Sequence, residues 1–181
     1  MKLYDRIYDI AADNYGLVTS AAAKAAGASD KELSRFASDG RLERVGYGLY
    51  RTKYHVPGPF DPYAEAVALA GSGAYLFGES VIALHQLAPT NPQRITVATT
   101  KRVRRKTPSW LRIVKGDEND DVTVYEGISS QTVAAAIYSC KGSIMDDRLI
   151  EAVENARAQG LLTCDEEAKL LASLESDNEQ T

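Results

Sequence analysis

The sequence predicts an α+β protein. An N-terminal winged helix-turn-helix is followed by a C-terminal α+β domain, in which a small antiparallel sheet is packed by helices. Three observations carry this prediction. Helical periodicity and glycine stops divide the first forty residues into three helices. Two short apolar runs around a glycine-flanked turn follow them. Beyond a proline-rich stretch, β-branched runs and helical runs mix without the regular strand–helix alternation of a doubly wound sheet.

The first helix spans about residues 2 to 14. Leu3, Ile7, Ile10 and Ala11 recur at helical spacing with Asp5, Arg6, Asp9 and Asp13 between them. Asn14-Tyr15-Gly16 ends it. Thr19 and Ser20 offer N-cap oxygens to a short alanine-rich helix, Ala21 to Ala26, which Gly27 stops. Ser29-Asp30-Lys31-Glu32 is a capping box opening a third helix, with Leu33, Phe36 and Ala37 on its buried face. Gly40 closes it. Leu42 to Val45, Gly46-Tyr47-Gly48 and Leu49 to Arg51 then read as a hairpin, although strict alternation is not obeyed. Two helices joined by a brief glycine turn form a helix-turn-helix, and the hairpin is its wing.

Such a unit places its second helix in the major groove of DNA. Lys31, Ser34, Arg35 and Ser38 lie on the face opposite the apolar one and are the candidate reading residues. Arg41, Arg44, Arg51 and Lys53 are candidates to meet phosphates from the wing. Amides freed at the helix N-terminus offer a further phosphate site. Winged helices also serve as protein-interaction modules, and on that reading these charges only solvate a helix.

Charge is unevenly spread. The 181 residues hold 21 Lys+Arg against 25 Asp+Glu, a formal net charge of −4. Residues 1–54 carry a net +2, residues 55–115 a net +5 and residues 116–181 a net −11. A basic body followed by an acidic third points to nucleic acid or an interaction tail more than the average does. The acidic third also reads simply as solvated helix faces. Hydrophobic residues at 44% and charged residues at 25% exclude a disordered or low-complexity chain. Two cysteines exclude a disulfide framework, and no secretory leader or membrane span is expected, so the predicted location is cytoplasmic.

Four stretches carry a family resemblance. They are Gly16-Leu17-Val18-Thr19, Ala26-Gly27-Ala28-Ser29, Leu33-Ser34-Arg35 and Leu42-Glu43-Arg44-Val45-Gly46-Tyr47-Gly48-Leu49-Tyr50-Arg51. Together they resemble the N-terminal domain of AbiEi-type antitoxins of type IV toxin–antitoxin, or abortive-infection, systems. Glu79 to Leu87 and Ile95-Thr96-Val97-Ala98 extend the similarity more weakly over most of the first 140 residues. The resemblance implies a phage-defence protein that binds promoter inverted repeats and represses its own operon. It also implies a C-terminal domain that neutralises a nucleotidyltransferase toxin without needing a stable complex. The open alternative is a winged-helix transcriptional regulator with a ligand-sensing or dimerising C-terminal domain.

The expected division is a winged helix-turn-helix at 1–54, a linker at 55–62, an antitoxin domain at 63–175 and a disordered tail at 176–181. The linker carries three prolines and a glycine. A helix from Asp61 or Pro62 to Ala70 and another from Ser80 to Leu87 follow. Strands are expected at Arg94 to Thr99, Trp110 to Val114 and Val122 to Tyr125, and helices at Ser130 to Cys140, Asp146 to Gln159 and Asp165 to Leu174. Lys101-Arg102-Val103-Arg104-Arg105-Lys106 lies between two expected strands and reads as a hairpin loop. Its five charges make Lys101, Arg102, Arg104 and Arg105 candidates for a second nucleic-acid contact.

Gly142-Ser143 precedes Asp146-Asp147 too closely for a nucleotidyltransferase site. Glu167-Ala168-Lys169 matches a nuclease pattern only superficially, because it lies in a helical run. His55, His85, Cys140 and Cys164 lack the clustered spacing of a zinc site. No catalytic residue, metal or cofactor is expected. The expected partners are double-stranded operator DNA and the cognate toxin.

Overall fold

The structure is a computed structural model that describes residues 2–90 and 92–178. It is mixed α+β and divides into two units. One comprises Met1–Ser72 with Val103–Pro108, the other Gly73–Arg102 with Ser109–Thr181.

The first unit is a winged helix with one helix more than expected. Its order is α1 (Leu3–Ala12), β1 (Leu17–Thr19), α2 (Ser20–Ala25), α3 (Asp30–Ser38), β2 (Leu42–Gly46), β3 (Leu49–Thr52) and α4 (Asp61–Ala70). The three strands form an antiparallel sheet in the order β1-β3-β2. Ile7 and Ala11 of α1, Ala23 of α2, Leu33 and Phe36 of α3 and Leu42 and Tyr50 of the hairpin share one core. The apolar spacing in the sequence therefore selects the buried face of each helix. The hairpin breaks alternation because its register shifts between Arg44 and Gly46. A bulge of this kind leaves one residue unpaired and bends the strand.

The helix-turn-helix is closed by backbone chemistry. Gly27 has φ +96, a value that L side chains rarely adopt. The Ala28 N–H donates to Ala23 O and the Gly27 N–H to Lys24 O, the paired bonds of a Schellman cap. Ser29 then caps α3. Its Oγ accepts the Glu32 N–H at 3.2 Å, and Glu32 Oε2 accepts the Ser29 N–H at 2.9 Å.

The segment 55–62, expected as a linker, lies within the first unit. Asp61 is the physical reason. Its carboxylate pairs with His55 Nε2 and accepts the Gly58 N–H at 2.9 Å. The His55 ring also fills the space where a Cβ on Gly16 would stand. Prolines there shape a turn into α4, with Pro62 in its first turn.

The second unit contains β4 (Tyr75–Leu76), α5 (Glu79–Leu84), β5 (Ile95–Thr99), β6 (Leu111–Lys115), β7 (Val122–Tyr125), β8 (Ile128–Gln131), α6 (Val133–Ser139), α7 (Asp146–Ala158) and α8 (Cys164–Asn178). Its five-stranded sheet has the order β6-β5-β4-β8-β7. The sheet is mixed rather than antiparallel. β5 pairs parallel with β6, and β4 parallel with β8. Residues 100–110 are accordingly a crossover and not the hairpin loop expected of them, since parallel neighbours cannot be joined by a tight turn.

Two buried polar side chains, Ser80 and Gln131, tie this sheet to its helices. Ser80 Oγ accepts the Thr96 N–H at 2.7 Å. Gln131 Oε1 accepts the Gly78 N–H at 2.9 Å and the Ser139 hydroxyl at 3.2 Å. Buried polar atoms without such partners would cost stability. α7 buries Leu149, Ala152, Val153 and Ala156 and exposes Asp147, Glu151 and Glu154. Much of the acidic third is thus the outer face of amphipathic helices. α8 reaches Asn178, past residue 176 where a disordered tail was expected to begin, and residues 179–181 of that expected tail lie outside the described residues. Among the described residues no helix is long and apolar enough to cross a membrane.

Candidate nucleic-acid interface

The capping box, the Schellman turn and burial of Leu33 and Phe36 fix the rotation of α3 about its axis. The face opposite carries Lys31, Ser34, Arg35 and Ser38, at i, i+3, i+4 and i+7, and all four are exposed. Lys31 makes no ion pair or hydrogen bond among the described residues. The Arg35 guanidinium stands 5.3 Å from the centre of the Phe36 ring. Ser38 Oγ donates to Ser34 O within the helix, so its lone pairs face outward. The surface offers two cations and two small hydroxyls on one helical stripe.

The N-terminus of α3 is less open than a free helix end. Ser29 occupies the Glu32 amide, and hydrogen bonds from Ser29, the backbone one foremost, hold the Glu32 carboxyl below its ordinary range. Asp30 pairs with Lys24 at 2.9 Å. With its first turn capped by its own side chains and bearing two carboxylates, this end is a poor phosphate site. The lateral stripe is the more open basic surface of this helix.

The wing residues fall into two groups. Arg41 and Lys53 meet at the wing's base, where the Lys53 N–H donates to Arg41 O at 3.1 Å. Each sits against an aromatic ring. The Arg41 guanidinium is 5.3 Å from the Tyr4 ring centre, and Lys53 Nζ is 6.0 Å from that of Tyr54. Such seats orient a cation without neutralising it. Arg44 is exposed on β2. Arg51 differs, being paired with Glu65 of α4 at 2.8 Å and only partly accessible. Its charge is compensated inside the unit.

The basic crossover splits in the same way. Lys101, Arg102 and Arg104 are exposed and unpaired among the described residues. Arg105 is engaged: its Nε and Nη2 both donate to Leu69 O, at 3.0 and 2.5 Å. That carbonyl is one of those left without a partner at the end of α4, where a cation is favourable. Sequence reasoning missed Tyr4, Tyr54 and Tyr47. The last is 78% exposed at the wing tip, and the two glycines around it were the available signal.

Residues 5–53 match the family model described as a transcriptional regulator, AbiEi antitoxin. Over this span the chain is similar to the AbiEi antitoxin regulators. The matched span begins within α1 and ends at Lys53, so it takes in α2, α3, the wing and every candidate DNA residue from Lys31 to Lys53. No curated protein matches the chain. Among solved structures, the chain is similar to the crystal structure of the RV2827C protein from Mycobacterium tuberculosis. The identity is 14%, with 94% of this chain and 80% of that one covered and a TM-score of 0.47.

Beyond the matched span, the histidine and cysteines that lack zinc-site spacing in the sequence have separate surroundings. His85 is buried against Tyr125, with ring centres 4.2 Å apart, and burial lowers its pKa. Burial, with Glu79 nearby, pushes the Cys140 thiol up to about 12, whereas Cys164 is exposed. Among the described residues no group of three His, Cys, Asp or Glu side chains could hold a metal ion.

Proposed function

We propose that this protein is a DNA-binding antitoxin and autoregulator. Its winged helix binds inverted repeats in its own promoter, with α3 in the major groove and Arg41, Arg44 and Lys53 on flanking phosphates. Its second unit opposes a nucleotidyltransferase toxin encoded beside it, without a stable complex. The chain contributes no catalysis and binds no cofactor. The observation that carries the DNA reading is the α3 stripe. Lys31, Ser34, Arg35 and Ser38 are exposed together on a helix whose orientation is locked at both ends. The toxin half rests on the AbiEi match of the N-terminal domain, since such regulators are antitoxins.

One experiment separates the two halves. The neighbouring toxin gene is expressed with the full chain or with its Lys31→Ala/Arg35→Ala variant, and growth and promoter output are read together. The wild type is expected to restore growth and repress the promoter. The variant is expected to restore growth without repressing. Repression without rescue would leave a winged-helix regulator and remove the antitoxin role. Full repression by the variant would remove α3 as the reading helix.

A further inference from the structure

The wing tip has an exposed aromatic side chain on a rigid mount. Tyr47 is 78% exposed, and its side chain has no hydrogen bond or ring contact among the described residues. On one side stands Gly46, where a Cβ would lie 2.4 Å from Leu69 Cδ2 of α4. On the other stands Gly48, at φ +66, whose carbonyl accepts the Ser20 N–H at 2.8 Å. The turn is therefore held to α2 on one flank and packed against α4 on the other. Below it, the pair Arg51–Glu65 anchors β3 to α4. A ring presented on such a mount loses little conformational freedom when it docks. Arg44, the basic side chain three residues before the tip, is also exposed.

A tyrosine has an apolar body and a polar end, and suits a surface that is apolar on its walls and wet at its rim. The minor groove of duplex DNA has that character, with deoxyribose walls and phosphate rims. We infer that Tyr47 is a DNA-contact residue. The wing enters the minor groove beside the major groove occupied by α3, the Tyr47 ring packs on deoxyribose, and Arg44 meets the adjoining phosphate. This rests on the DNA-binding reading above and adds a second chemistry to it. The cations supply counterion release, which weakens with salt. The ring supplies an apolar contact that releases no counterion, so its share of the affinity is independent of salt.

That difference is the test. The full chain is titrated onto a labelled duplex carrying the DNA immediately upstream of its own coding sequence, from about 50 to about 200 mM salt. Tyr47→Ala is expected to weaken binding roughly tenfold at every salt concentration, with the slope unchanged, as the loss of one aromatic contact from an interface does. Tyr47→Phe is expected to retain wild-type affinity. Arg44→Ala is expected to lower the slope by about 0.9, the signature of one phosphate contact. Because Tyr47 is exposed, its variants leave the core untouched, and Tyr47→Ser serves as a second truncation. Wild-type affinity in both truncations would overturn the proposal, and so would a changed slope in Tyr47→Ala. If the wild type itself failed to bind the duplex, the DNA reading would fall and the wing contact with it.

Discussion

Arg51 Nη2 and Glu65 Oε2 lie 2.8 Å apart and join the wing to the helix that follows it. Both side chains are mostly buried, and Arg51 Nε has no partner of its own. Removing the carboxylate would leave a guanidinium charge in a poorly hydrated place, which costs more than an exposed pair is worth. Glu65→Gln is expected to destabilise the first unit by about 1–2 kcal/mol. Amide hydrogen exchange in β2 and β3 should rise ahead of that in the second unit's sheet. Unchanged protection of the wing would mean that α4 does not brace it.

Arg104 and Arg105 are adjacent in sequence and differ in role. Arg104→Glu is expected to leave stability unchanged and to lower the salt slope of DNA binding. Arg105→Ala is expected to cost about 1 kcal/mol of stability, because it strips Leu69 O of its two donors. Urea unfolding and a salt titration of both variants check this. Equal effects of the two substitutions on the slope would contradict the division.

The contrast between those arginines shows where sequence reading stops. The capping box at Ser29 and Glu32 was legible because both partners lie within one helical turn. The buried faces of α1 and α3 were legible because their spacing is periodic. By contrast, Arg51 looked like its neighbours Arg44 and Lys53. What distinguishes it is Glu65, brought opposite by a turn through Asp61 whose hydrogen bonds no local pattern announces. β1 and β4 are three and two residues long, too short to alternate. β8 was absorbed into the expected helix at 130–140, although Thr132 Oγ1 caps α6 by accepting the Ala135 N–H at 3.3 Å. The crossover at 100–110 looked like a hairpin loop because its two flanking strands carry no mark of their relative direction.

His85 sets a pH dependence. Burial lowers its pKa from the ordinary 6.5, so the unfolded chain takes up this proton at a higher pH than the folded one. Between the two values the unfolded state binds more protons. The contribution to stability is therefore complete above about pH 6.5 and is lost as pH falls toward the folded value. His85→Phe keeps a ring against Tyr125 and removes the titration. Urea unfolding at about pH 7.5 and about pH 5.5 is expected to show a smaller loss of stability in the variant than in the wild type. An identical loss would place the acid sensitivity elsewhere.

Tyr75 acts at the other end of the scale. Its hydroxyl donates to the Asp120 carboxylate, and burial together with that bond raises its pKa to about 12. The unfolded chain loses this proton near pH 10, so the contribution is intact below pH 10 and disappears as pH rises from 10 to about 12. Tyr75→Phe is expected to flatten the alkaline unfolding profile in that window. A profile as steep as the wild type's would contradict the assignment.

The most direct measurement is equilibrium binding of the full chain to its own upstream duplex and to a scrambled duplex of equal length, for the wild type and Arg35→Ala. Expected are tighter binding of the upstream duplex by the wild type and a loss of about 1–3 kcal/mol of that preference in the variant. Equal affinity for both duplexes, or an Arg35→Ala variant that keeps the full preference, would contradict recognition by α3.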